Sequence, residues 1–165
     1  MKKLLFLIAV VFLNSCKVNY SFTGASISPD IKTVSVAYFP NNAPLAQPTL
    51  SQVFTESLKD YFLSQTNLSL VDRFGDIQFE GEIIDYKTEP LAIQQNETAA
   101  LNRLTISIRV RYTNNKEDNV DFERTFTRFE DYESSRNLAD VEAELIPQIN
   151  DQIIQDIFNA SIGNW

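Results

Sequence analysis

Five arginines fall on two neighbouring strand-like stretches, Arg103, Arg109 and Arg111 on the first and Arg124 and Arg128 on the second. A guanidinium presents a planar fork of donors, so a row of them on a sheet suits phosphate or carboxylate recognition. Lipid phosphates are a natural ligand for such a row. Glu80, Glu82 and Glu123 offer the competing arrangement, in which opposite charges pair across strands and guard the sheet. Strand order decides between the two, and the sequence leaves it open. Asp85, Glu89, Asp118, Asp121, Glu130, Asp131 and Glu133 are the raw material for a glycosidase-type carboxylate pair, but their spacing places them in turns and on exposed faces. The chain has no histidine. Ser-His-Asp and Cys-His catalysis, and most zinc sites, are thereby removed. Its four glycines are scattered singly, with no phosphate-cradling loop. No catalytic group, metal ligand set or cofactor is expected, and the chain reads as a non-enzyme.

Cys16 is the only cysteine. It closes a leader in which Lys2 and Lys3 precede an apolar run over residues 4–13. That run falls short of the roughly 20 residues that span a bilayer and has the length and flanks of a secretory leader. Leu13-Asn14-Ser15-Cys16 resembles a bacterial lipobox, whose cysteine is acylated and becomes the mature N-terminus; Asn14 is less usual at its position. The plainer alternative is an ordinary cleaved leader, which strands an unpaired thiol in an exported protein. One acyl chain adds about 0.8 kcal/mol per buried methylene and holds weakly, whereas several palmitate-like chains anchor for good. Lys17-Val18-Asn19 lacks the acidic cluster of some surface-export signals, which favours the periplasmic face. The expected organisation is a signal peptide over 1–15, a lipidated tether over 16–30 and a single domain over 31–165.

Removing the leader leaves about 150 residues, an ordinary size for one domain. Apolar residues make up 44% and phenylalanines number 12, the composition of a packed globule. Loss of Lys2 and Lys3 takes the net charge from −8 to −10. Such acidity opposes nucleic-acid binding and adhesion to anionic membranes by charge alone.

The elements follow from periodicity. Alternation over 31–39 predicts a strand. A rigid Pro40–Pro48 loop follows, then a helix over 50–64 with Leu50, Val53, Phe54, Leu58, Tyr61 and Phe62 on one face. Thr49 and Gln52 fit a capping box. Short apolar runs predict strands over 68–71 and 77–86. In the latter, Gln78, Glu80, Glu82, Ile84 and Tyr86 oppose Ile77, Phe79, Gly81 and Ile83, and Gly81 marks a bulge or close packing. Residues 89–99 read as a loop. The strand over 103–113 alternates, with Leu104, Ile106, Ile108, Val110 and Tyr112 inward. A polar hairpin leads to a strand over 120–129, where Phe129 has the wrong parity and signals a bulge. The last helix starts near Leu138, and Pro147 should kink or split it. The fold class is α+β, a two-layer sandwich with two helices on one face of a mostly antiparallel sheet of four to five strands. The opposite, polar face carries the arginines and glutamates. Tyr20, Phe22, Phe39 and Trp165 lie near element ends and are candidates for partner contact.

Several strings, in order, carry a family likeness: Asn19-Tyr20-Ser21-Phe22-Thr23-Gly24-Ala25-Ser26-Ile27, Val36-Ala37-Tyr38-Phe39-Pro40-Asn41, Pro48-Thr49-Leu50-Ser51-Gln52, Ala100-Leu101-Asn102-Arg103-Leu104-Thr105-Ile106 and Asp156-Ile157-Phe158-Asn159. Over residues 19–165 the chain resembles the short form of the lipopolysaccharide-assembly lipoproteins of the LptE family. The resemblance implies a non-enzymatic lipoprotein in the periplasmic leaflet of the cell outer membrane, anchored through Cys16. Family members plug and help assemble a large β-barrel translocon of the LptD type, which delivers lipopolysaccharide to the outer leaflet. Lipopolysaccharide itself is a further candidate ligand, with the arginine row as its candidate contacts. The alternative is a stand-alone periplasmic lipid- or glycan-binding lipoprotein.

Overall fold

A computed structural model describes residues 27–44, 47–91, 100–118 and 120–162. Cys16, Tyr20, Phe22 and Trp165 lie outside them. The elements run β1 (Thr33–Val36), α1 (Leu50–Gln65), β2 (Ser69–Leu70), β3 (Ile77–Pro90), β4 (Leu101–Asn114), β5 (Phe122–Glu133) and α2 (Leu138–Ser161). The sheet order is β2-β1-β3-β4-β5. β1 is parallel to both neighbours, with α1 as the crossover that a parallel pair requires, while β3, β4 and β5 form an antiparallel meander. This is the expected α+β sandwich.

Period 2 in the strands and period 3.6 in the helices aim apolar side chains at one shared layer. Val34, Val36, Ile77, Phe79, Ile83 and the even-numbered apolar positions of β4 meet Phe54, Leu58 and Phe62 of α1 and the isoleucines of α2 in one buried cluster. Each fully buried side chain of this kind contributes about 1.5–3 kcal/mol. Rings pack through it, Phe39 edge-to-face on Phe54 at 5.2 Å and Phe62 tilted against Phe79 at 4.6 Å between centroids. Phe39 is thus core, not a partner contact, and its amide donates to Thr55 Oγ1 at 3.1 Å.

Several local expectations give way. α1 starts at Leu50, but Thr49 Oγ1 donates to Gln47 Oε1 at 3.0 Å instead of capping the helix, so no capping box forms. Val53 is exposed, on the rim of the apolar stripe. β1 is shorter than its alternating run, ending at Val36, where its ladder with β3 also ends. β3 and β4 are longer than expected, since each pairs over nearly its full length and β3 continues through Pro90. α2 runs unbroken through Pro147; its isoleucine stripe on the core holds it across the missing hydrogen bond. The β4–β5 ladder keeps one register throughout, with no bulge at Phe129. That ring points to the outer face and is 44% exposed.

The bulge lies in β3, between Ile83 and Asp85. One extra residue reverses the parity beyond it. Tyr86, expected outside, therefore faces the core opposite Ile106 and donates its hydroxyl to Glu142 of α2. Burial first, and then the Glu142 carboxylate, push its phenol well above the usual range. Gly81 marks close packing: a Cβ there would lie 2.1 Å from the Arg109 carbonyl oxygen and 2.5 Å from Phe39 Cε1.

The start of β3 is tied to two other parts of the chain. The Asp76 carboxylate accepts the Lys32 and Thr33 amides at 2.8 and 2.9 Å and pairs with Lys116 Nζ at 3.1 Å. The Asp76 amide donates to Thr33 Oγ1, and its carbonyl accepts the Asn115 amide at 2.8 Å. These donors, the Lys32 amide foremost, hold its pKa far below the ordinary 3.8.

Two outcomes follow from this packing. Gly81→Ala should lower the free energy of urea unfolding by about 1–3 kcal/mol, the range for forced overpacking, because backbone must move to admit the methyl. The Asp76 contribution is fully present above pH 3.8 and is lost as pH falls below it toward the depressed native value. Thermal melts of Asp76→Asn should show lower stability at neutral pH and a shallower loss on the acid side than wild type.

Candidate functional site

The outer face of the sheet is built from odd-numbered residues of β4 and β5 and the acidic positions of β3. Register sets its chemistry. Glu82 stands directly opposite Arg109, Glu123 opposite Arg111 and Asp131 opposite Arg103. Each pair closes. Arg103 grips Asp131 with both limbs of its fork, at 2.7 and 2.9 Å, and its guanidinium lies 3.5 Å from the Phe129 ring centroid. Arg109 Nη1 reaches Glu82 Oε1 at 2.6 Å. Arg111 donates twice to Glu123 Oε2, at 2.9 and 3.1 Å. Between these pairs, the Ser107 and Thr127 hydroxyls hydrogen-bond at 2.8 Å.

Arg124 and Arg128 do not join this row. They oppose Val110 and Ile106, whose side chains point into the core, so both arginines lie on the helix side of β5. Arg128 forms a bidentate pair with Asp156 of α2 at 2.6 and 2.8 Å. Arg124 lies 5.0 Å from the Phe122 ring centroid. The candidate row is therefore three arginines on one face and two on the other. Hydrogen bonds donated to the partner carboxylates raise the pKa of Arg103, Arg111 and Arg128 above the ordinary guanidinium value. An open depression of about 360 Å³ on this row is lined by Pro40, Glu80, Gly81, Glu82, Arg109, Arg111 and Glu123. Its carboxylates outnumber its cations.

The candidate carboxylates do not converge. Asp121 accepts the Asn114 amide at 2.7 Å, Asp131 is held by Arg103, and Glu130 sits on the helix side, bonded to Gln152. No cluster of three or more metal-ligating side chains occurs among the described residues. Sequence reasoning passed over Phe74 and Tyr38. Phe74 is 87% exposed with φ of +58°, and Tyr38 is 60% exposed. The signal was present in Asp72-Arg73-Phe74-Gly75-Asp76, a turn-like string that sets a large aromatic where turns usually set a polar residue.

The family model described as LptE, lipopolysaccharide-assembly, matches residues 31–161. A hypothetical protein from Chlamydia trachomatis superposes with a TM-score of 0.54 at 10% identity, covering 81% of this chain and 99% of that one. A minor lipoprotein from Acinetobacter baumannii gives 0.49 at 16% identity, over 78% and 90%. An uncharacterised lipoprotein B from Nitrosomonas europaea gives 0.49 at 14% identity, over 87% of each chain. The first of these supports the fold alone. No curated protein matches the sequence.

Exposed ion pairs contribute about 0–1 kcal/mol each, and Arg109 and Arg111 are both about half exposed. Arg109→Ala and Arg111→Ala should each change unfolding free energy by under about 1 kcal/mol in urea titrations, with the loss shrinking in high salt.

Proposed function

The chain belongs to the LptE lipopolysaccharide-assembly family, and from that membership we propose that it is an outer-membrane lipoprotein that plugs and helps assemble a large β-barrel of the LptD type. The family match across residues 31–161 carries this reading. In it, acylated Cys16 holds the domain on the periplasmic face of the outer membrane while the barrel passes lipopolysaccharide to the outer leaflet. Among the described residues no helix is long and apolar enough to cross a membrane, which agrees with anchoring from one end. The role asked of the chain is structural and non-enzymatic: to fill and brace the barrel.

The arginine ladder has a definite place in the proposal. A lipopolysaccharide phosphate at Arg103, Arg109 or Arg111 would have to compete with Asp131, Glu82 or Glu123. Breaking such a pair frees a carboxylate beside the incoming anion. We assign these residues to bracing the sheet face, with phosphate contact as the competing role.

Affinity purification of the acylated full-length protein from detergent-solubilised outer membranes should bring down one large β-barrel in near-equal amount. A clean monomer at every detergent strength would overturn the plug. Cys16→Ser should move the protein from the membrane pellet to the soluble periplasmic fraction and abolish incorporation of labelled palmitate. A double replacement, Arg109→Ala with Arg111→Ala, should leave both barrel recovery and surface lipopolysaccharide unchanged; normal recovery with reduced surface lipopolysaccharide would return the ladder to the role of ligand site.

A further inference from the structure

β1 lies between β2 and β3, but its β2 side is unpaired beyond Val34, and two exposed aromatics stand beside that short open edge. Strand residues alternate the direction of their backbone groups. The Ala37 amide donates to Phe79, so residues 35 and 37 serve β3. Ser69 donates to Lys32 and Val71 to Val34, so residues 32, 34 and 36 serve the β2 side. Pairing stops there, because β2 ends at Leu70 and residues 71–76 turn away. Among the described residues, no hydrogen bond joins the Val36 amide or carbonyl to that turn.

The turn is mounted rigidly. The Gly75 amide donates to Ser35 Oγ at 3.2 Å, and its carbonyl accepts Asn115 Nδ2 at 2.8 Å. A Cβ on Gly75 would lie 2.6 Å from the Ser35 amide nitrogen, so the turn lies flat against β1. Phe74, next to it, is held at φ +58° with its ring in solvent. Positive φ is a genuine outlier for a bulky residue, and strain of this kind persists where the surroundings over-determine it and clusters at binding sites. Tyr38 stands opposite. Between them is an open cleft of about 490 Å³ with Ser35, Val36 and Gln78 among its lining residues. Asp72 and Glu80 on its rim make no ion pair among the described residues and face the single cation Arg73, which leaves the rim net negative.

We infer that this cleft receives an extended, basic segment of the partner polypeptide, which lies along the free edge of β1 between Phe74 and Tyr38. The partner is the β-barrel of the proposed function, so the inference rests on that reading. Peptide backbone is the chemistry that satisfies a bare strand edge, and the aromatics supply the anchors that such contacts depend on. Lipid phosphates fit neither the edge nor the negative rim.

The test uses acylated full-length protein in its own outer membrane, with a photoreactive phenylalanine at position 74. The expected adduct maps to one Lys- or Arg-bearing stretch of the co-purifying barrel. Phe74→Gly separates folding from binding, because glycine adopts positive φ without penalty and the lost ring is solvent-exposed. Its melting midpoint should equal or exceed wild type while barrel recovery falls about tenfold. Undiminished recovery with Phe74→Gly overturns the inference. So do adducts confined to residues 17–26 of the same chain, to a second copy or to lipid. A barrel that co-purifies without any adduct at position 74 removes this inference and leaves the plug standing; no barrel at all removes both.

Discussion

The Asp76 carboxylate ties the amides that open β1 to the start of β3, and through Lys116 to the β4–β5 hairpin. Much of the remaining geometry depends on that clamp. β1 is only four residues long, too short to find its register by hydrophobic pattern alone. With Lys32 and Thr33 fixed on Asp76, Val34 and Val36 fall opposite Ile77 and Phe79 and complete the core. The same turn seats Gly75 on Ser35 and carries the chain from β2 across β1 to β3. A carboxylate accepting several backbone donors is charged far below its usual range, so the clamp is fully charged at neutral pH.

The outer face shows how pairing in register can neutralise a surface. Odd-numbered arginines of β4 meet carboxylates of β3 and β5 in direct opposition. Each pair contributes little to stability. Together they keep charge on an exposed sheet, which discourages edge-to-edge association. The helix side uses the same chemistry differently: Arg128 reaches across to Asp156 and binds β5 to α2.

Much of this was legible in the residues. The order of elements, the α1 and α2 stripes and the inward set of β4 follow from periodicity, because each buries one face against one core. The Glu82–Arg109 and Glu123–Arg111 pairs were foreseeable as a type. What was not legible lay where one residue changes parity or where contacts span the chain. The bulge after Ile83 turns Tyr86 inward, and nothing in the local string distinguishes it from an uninterrupted strand. Arg124 and Arg128 differ in parity from Arg103, Arg109 and Arg111 only once the β4–β5 register is known. Phe129 invited a bulge because exposed phenylalanines are uncommon; the guanidinium of Arg103 over its ring supplies a reason for it to stay outside.

Charge and anchoring divide the work. A chain with net charge −8 gains nothing by diffusing onto an anionic lipid surface, and Arg103, Arg109 and Arg111 of its outer face are paired with carboxylates. If Cys16 carries the acyl chains, attachment to the membrane costs the folded domain no surface at all. The domain is then free to be acidic on every face, and selectivity can rest on shape and on backbone groups. The strained turn at Phe74 fits that division. It spends local backbone energy to hold a ring in water beside a bare strand edge, a cost that serves the isolated domain in no visible way and becomes useful only when another polypeptide lies against it.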